Sequence, residues 1–86
     1  MKANARKAFN DLKAIGAPVI EDAWSDSAHF SISGEENYDE IWASYYCEYG
    51  LFADTFGVNP KIEAILKKHD LFSEWANPGV LNVYDA

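Results

Sequence analysis

A chain of 86 residues with a formal net charge of −7 is sized for one domain, residues 1–86, with a modest core. An apolar content of 49% excludes a disordered polyanion. No apolar run approaches the ~18 residues a membrane crossing needs, and the negative balance makes nucleic acid a poor direct ligand.

The first segment, residues 2–15, reads as a helix. Ala5, Ala8, Phe9, Leu12 and Ile15 recur at helical spacing, with the basic residues mostly on the other face. Gly16 suits the left-handed position after a helix, and Pro18 stops continuation. Residues 19–24 and 28–34 read as a β-hairpin around Ser25-Asp26-Ser27, because Ala28, Phe30 and Ile32 alternate with His29, Ser31 and Ser33.

Asn37 then reads as the N-cap of a central helix, with Glu40 three residues on as in a capping box. Tyr38, Trp42, Tyr45, Tyr49, Phe52 and Phe56 follow in steps of four and three residues, one apolar stripe facing the core. Gly50 marks a place where this helix can stop and resume as a short second piece. Asn59-Pro60 opens a further helix to about His69, marked by Ile62, Ile65 and Leu66. Residues 71–75 fit either a helical turn or an extended piece. Asn77-Pro78-Gly79 reads as a type II turn, and Val80, Leu81, Val83 and Tyr84 as a final strand. The expected fold is α+β: a small three-stranded sheet packed against about three helices, in the order α-β-β-α-α-β.

Charge is unevenly placed. Residues 17–59 carry nine carboxylates and no Lys or Arg: Glu21, Asp22, Asp26, Glu35, Glu36, Asp39, Glu40, Glu48 and Asp54. The same stretch holds nine of the thirteen aromatics. Residues 1–16 balance at +3 and residues 60–86 at −1. An acidic field of this kind suits a basic protein surface.

Catalysis finds little support. There is no calcium-loop pattern, no zinc spacing, no phosphate loop and no nucleophile elbow, so no metal and no cofactor is expected. Cys47 has no basic neighbour to lower its thiol pKa and reads as a small packing residue. It also forms no internal disulfide. With no apolar leader in Met1–Lys7, the expected compartment is the cytoplasm.

The size, the acidic block 17–59 and the aromatic-rich body resemble those of small acidic phage and mobile-element proteins that blunt host defences, anti-CRISPR proteins and DNA mimics among them. The resemblance is one of composition and carries over no site residue. It implies a non-catalytic inhibitor of a nucleic-acid-handling or CRISPR-type complex, acting in the host cytoplasm. The candidate partner-binding residues are Glu35, Glu36, Asp39 and Glu40, then Asp22 and Asp26, with Glu48 and Asp54. The alternative is a structural, assembly or antitoxin-like homodimer subunit, which an apolar patch left on the surface would favour.

Overall fold

The computed structural model describes residues 1–46 and 52–86. The order is α1 (Ala3–Ala14), β1 (Val19–Ile20), β2 (Phe30–Ser33), a 3-10 turn (Ala53–Thr55), α2 (Pro60–Lys68), β3 (Leu71–Asn77) and β4 (Val80–Asp85). The four strands form one antiparallel sheet in the order β1-β2-β4-β3. Among the described residues there are thus four strands and two α-helices in the order α-β-β-α-β-β, not the expected three strands and about three helices in the order α-β-β-α-α-β.

Helix α1 ends as its sequence predicts. Gly16 takes φ +90°, Ala17 N–H donates to Leu12 O and Gly16 N–H to Lys13 O. These two bonds are the Schellman pair, which the left-handed glycine makes possible. Chain reversal here sends Val19–Ile20 into the sheet beside β2.

Opposed residues share a face of the sheet, so the register defines the core. Phe30 opposes Val83, and Ile32 opposes Leu81. These pack against Ala5, Ala8, Phe9 and Leu12 of α1 and Ile62 and Leu66 of α2. Phe9 meets Phe30 edge-on, with centroids 5.4 Å apart. On the opposite face lie Ser31 and Asn82, also buried. Their polarity is satisfied in a chain: Trp24 N–H donates to Ser31 Oγ, Ser31 Oγ–H to Asn82 Oδ1, and Asn82 Nδ2–H to Tyr84 OH.

The central helix is absent over residues 37–46, and of the short second piece expected after Gly50 the described residues form only the 3-10 turn Ala53–Thr55. Residues 37–46 form an irregular loop, and residues 47–51, with Tyr49 and Gly50, lie outside the described residues. Asn37 is no N-cap. Its Oδ1 accepts from Trp42 N–H (2.9 Å) and Ala43 N–H (3.3 Å), and its Nδ2 donates to Ala43 O (3.0 Å) and Gly34 O (3.3 Å). Beyond it the chain runs antiparallel to residues 57–59. Ala43 bridges Val58, Ser44 N–H donates to Gly57 O, and Asn59 N–H donates to Trp42 O. That pairing takes the backbone groups a helix would have used. The aromatic stripe is accordingly broken. Trp42 is 6% exposed and belongs to the core, but Tyr38 is 86% exposed and Phe56 80%.

The ambiguous stretch 71–75 is β3. Leu71, Ser73 and Trp75 face the helices, and Phe72 and Glu74 face away. The turn after it is not type II, because Gly79 has no positive φ. Its N–H instead donates to Asn77 Oδ1 at 2.8 Å.

Candidate protein-binding face

The loop that replaces the central helix builds the site. Cinched by Asn37, it lies beside the C-terminal end of α1, and between them runs a groove of about 450 Å³. One wall is Ile15, Gly16 and Pro18; the other carries Glu36, Tyr38, Asp39 and Glu40, with Trp42 between them. A Cβ on Gly16 would stand 4.0 Å from the Trp42 ring, so the glycine serves the turn rather than the space.

The three carboxylates of this groove differ in state. Glu40 is held from below. Lys61 Nζ lies 2.9 Å from Oε2, and Asn59 Nδ2 donates to Oε2 at 3.0 Å. Hydrogen bonds from Lys61 and then Asn59 lower its pKa below the usual glutamate value. The same ammonium stands 5.8 Å from the centroid of the Trp42 ring. Glu40 thus ties the loop to α2 and is largely neutralised by its own chain. Glu36 and Asp39 have no cation beside them among the described residues. They, not Glu40, project free negative charge from the groove, next to the exposed Tyr38 ring.

The remaining candidates disperse. Glu35 turns to the other side of the loop. It packs on the β3–β4 turn, where a Cβ on Gly79 would meet its Oε1 at 3.1 Å, and it lines a separate depression with Tyr45 and Tyr46. Asp22 and Asp26 are exposed in the loop between β1 and β2 and line none of these grooves. Asp54 sits on the 3-10 turn beside another groove, with Glu63 and Trp75. Glu48 lies outside the described residues. The structure therefore assembles Glu36, Asp39 and Glu40 and separates Glu35, Asp22, Asp26 and Asp54 from them.

Sequence reasoning missed two determinants. Lys61 neutralises a carboxylate 21 residues away, which charge counting along the chain does not reveal. Asn37 organises the loop as a bracket, and an Asn before a carboxylate-rich stretch reads the same for a bracket as for a cap. Among the described residues, no three His, Cys, Asp or Glu side chains converge as a metal ion would require. No described helix is long and apolar enough to cross a membrane. The chain matches no protein-family model, no curated protein and no solved structure.

Proposed function

We propose that this chain is a non-catalytic inhibitor that binds a basic protein surface, and that the surface belongs to a nucleic-acid-handling or CRISPR-type defence complex. The observation that supports it best is the groove rim. Glu36 and Asp39 carry uncompensated charge beside an exposed Tyr38 and a buried Trp42. A lysine or arginine placed there gains two carboxylates and apolar surface for its stem. The phosphate-binding surface of such a complex presents these side chains in number, and occupying it would exclude the nucleic acid.

The test measures target-DNA binding by purified CRISPR effector complexes, with and without this chain, by fluorescence anisotropy at low and physiological salt. At least one complex should lose DNA binding. Replacing Glu36 by Gln and Asp39 by Asn should slow association at low salt and flatten its salt dependence, since rim charge acts chiefly on encounter. If no complex responds, the inhibitor reading fails.

The homodimer alternative has one supporting observation. Phe56, Tyr46 and Phe72 remain exposed after the core is closed. Sedimentation velocity across concentrations decides it: a dimer would appear as a concentration-dependent rise in sedimentation coefficient.

A further inference from the structure

Strand β3 is an edge of the sheet, and among the described residues no strand pairs with its outer side. The hydrogen-bond phase of the sheet can be read from its ends. Gly34 N–H donates to Gly79 O and Ala86 N–H to Asp70 O. Bonded pairs recur every second residue in an antiparallel ladder. On β4, Leu81 and Val83 therefore bond toward β2, while Asn82 and Tyr84 bond toward β3. Their partners, Glu74 and Phe72, spend their backbone groups on β4. Ser73 and Trp75 direct their N–H and C=O outward, and no described group receives them. Native sheets usually blunt such an edge. Here a register shift between Trp75 and Asn77 ends the straight edge, but residues 71–75 stay regular.

A groove of about 290 Å³ adjoins that edge on the helix side. Phe56, Trp75 and Leu81 supply apolar lining, and Asp54 and Glu63 supply carboxylates. No Lys or Arg lines it, and no cation pairs with Asp54 or Glu63 among the described residues. Phe56 is held at φ +53°, a left-handed conformation that is strained for a bulky residue and that collects at binding sites. Its carbonyl accepts Trp75 Nε1–H at 2.8 Å, which fixes the groove wall to the edge strand.

We propose that the β3 edge takes an extended segment of a partner protein as an added strand, with a basic side chain of that segment, opposite Ser73, reaching Glu63 in the adjoining groove. The register places the cation. A residue opposite Ser73 shares its face, and on that face Ser73 Oγ–H donates to Glu63 Oε1 at 3.3 Å. The flanking residues of the segment fall on the other face, beside the exposed Phe72 ring and Glu74. Burial pushes the Glu63 carboxyl above the usual glutamate range, so its charged form gains from an approaching cation. A second copy of β3 is a poor occupant. Two-fold pairing about Ser73 would set serine against serine, leave Glu63 unmatched and bring together two chains of net charge −7. This surface is separate from the Glu36–Asp39 groove, and the proposal does not depend on that groove's function.

The probe is an acetylated, amidated pentapeptide of sequence Thr-Val-Arg-Val-Thr, titrated into the full 15N-labelled chain at physiological salt. The expected result is a saturable shift of the Ser73 and Trp75 amide resonances, with affinity on the order of millimolar for so short a segment. A peptide with Glu at the centre should bind about tenfold more weakly, a difference of about 1.4 kcal/mol. Methylating the central backbone nitrogen should weaken binding as well, because strand addition needs that donor. Glu63→Gln should remove the preference for Arg over Glu while the Ser73 and Trp75 shifts persist. A Glu36→Gln/Asp39→Asn variant should bind the pentapeptide with the same shift pattern, so failure of the inhibitor reading and failure of this one separate. The proposal is overturned if the Ser73 and Trp75 amides do not shift, if the Arg and Glu peptides bind alike, if the shifts centre on Glu36 and Asp39, or if the chain dimerises through β3.

Discussion

Two asparagines, Asn37 and Asn59, open segments of similar apparent grammar, and only one becomes a helix. Asn59 accepts Lys61 N–H at 2.9 Å, two residues ahead, and α2 follows. Asn37 accepts Trp42 and Ala43 N–H, five and six residues ahead, and a loop follows. The difference lies in what comes after. Pro60 presets the backbone angle of the first helical residue and removes a donor the helix cannot use there. Tyr38 offers no such restraint. The chain after Asn37 has instead a second partner, the strand-like residues 57–59, for its backbone groups. An Asn side chain caps whichever conformation its neighbourhood has already made cheaper.

The largest break in this comparison comes at Trp42, the one aromatic of the stripe in residues 37–46 that is buried. Trp42→Ala should destabilise by about 3–5 kcal/mol, as for other large aromatic truncations. A urea-unfolding midpoint displaced by only a few tenths of a molar would remove it from the core. Tyr38→Ala is the control, since the same spacing argument covered it. Its ring is exposed, and the change should stay within about 0.5 kcal/mol.

The asparagines come next. Asn37→Ala deletes four hydrogen bonds to half-buried backbone and leaves donors of Trp42 and Ala43 unmet, a loss of about 2–3 kcal/mol. Asn59→Ala removes a cap worth about 0.5–2 kcal/mol. It should fall at the upper end, because Asn59 Nδ2 also holds Glu40 and Ile41 O. Backbone chemical shifts separate the two. The Asn59 variant should lose helical shifts at the start of α2 and move Glu40 and Ile41, whereas the Asn37 variant should disturb residues 34–44 and leave α2 intact.

These contrasts mark what could be read from the residues. Both helices carried local signals that agreed with each other: apolar spacing, Gly16 in one, Asn59-Pro60 in the other. The β3–β4 hairpin was half legible. Leu71, Ser73 and Trp75 alternate with Phe72 and Glu74, yet five residues directly after a helix admitted a further helical turn as well. The central loop was illegible in a stronger sense. Its aromatics sit at helical spacing by coincidence, and only the antiparallel pairing of 42–44 with 57–59 overrides it, a contact no local pattern announces. The candidate site shares that fate. The acidic block was plain, but the state of each carboxylate depended on partners distant in the chain. Lys61 binds Glu40, while Glu36 and Asp39 have no cation beside them among the described residues.

The smallest expected effect concerns two glutamates on either side of that pairing, and there the sign is the test. Glu40 ties the central loop to α2, and hydrogen bonds from Lys61 and Asn59 lower its pKa. A lowered folded pKa contributes stability above the unfolded value, near 4.5, and loses it as pH falls through the folded one. Glu63 is the reverse case. Burial raises its pKa, with the Ser73 hydrogen bond opposing. Its contribution is present below the unfolded value and is lost as pH rises through the folded one. Glu40→Gln should therefore weaken the protein near neutrality and converge on the parent as pH falls below the unfolded pKa. Glu63→Gln should do the opposite, stabilising near neutrality and losing that advantage in acid, because an amide has no charge for burial to penalise. Urea midpoints of the parent and both variants, measured from about pH 3 to about pH 7, give the two difference curves. Curves of the same sign would mean that one carboxylate is misassigned. If Glu40→Gln shows no pH dependence, Lys61 and Asn59 do not anchor the loop through it, and Glu40 would rejoin Glu36 and Asp39 as free charge on the groove rim.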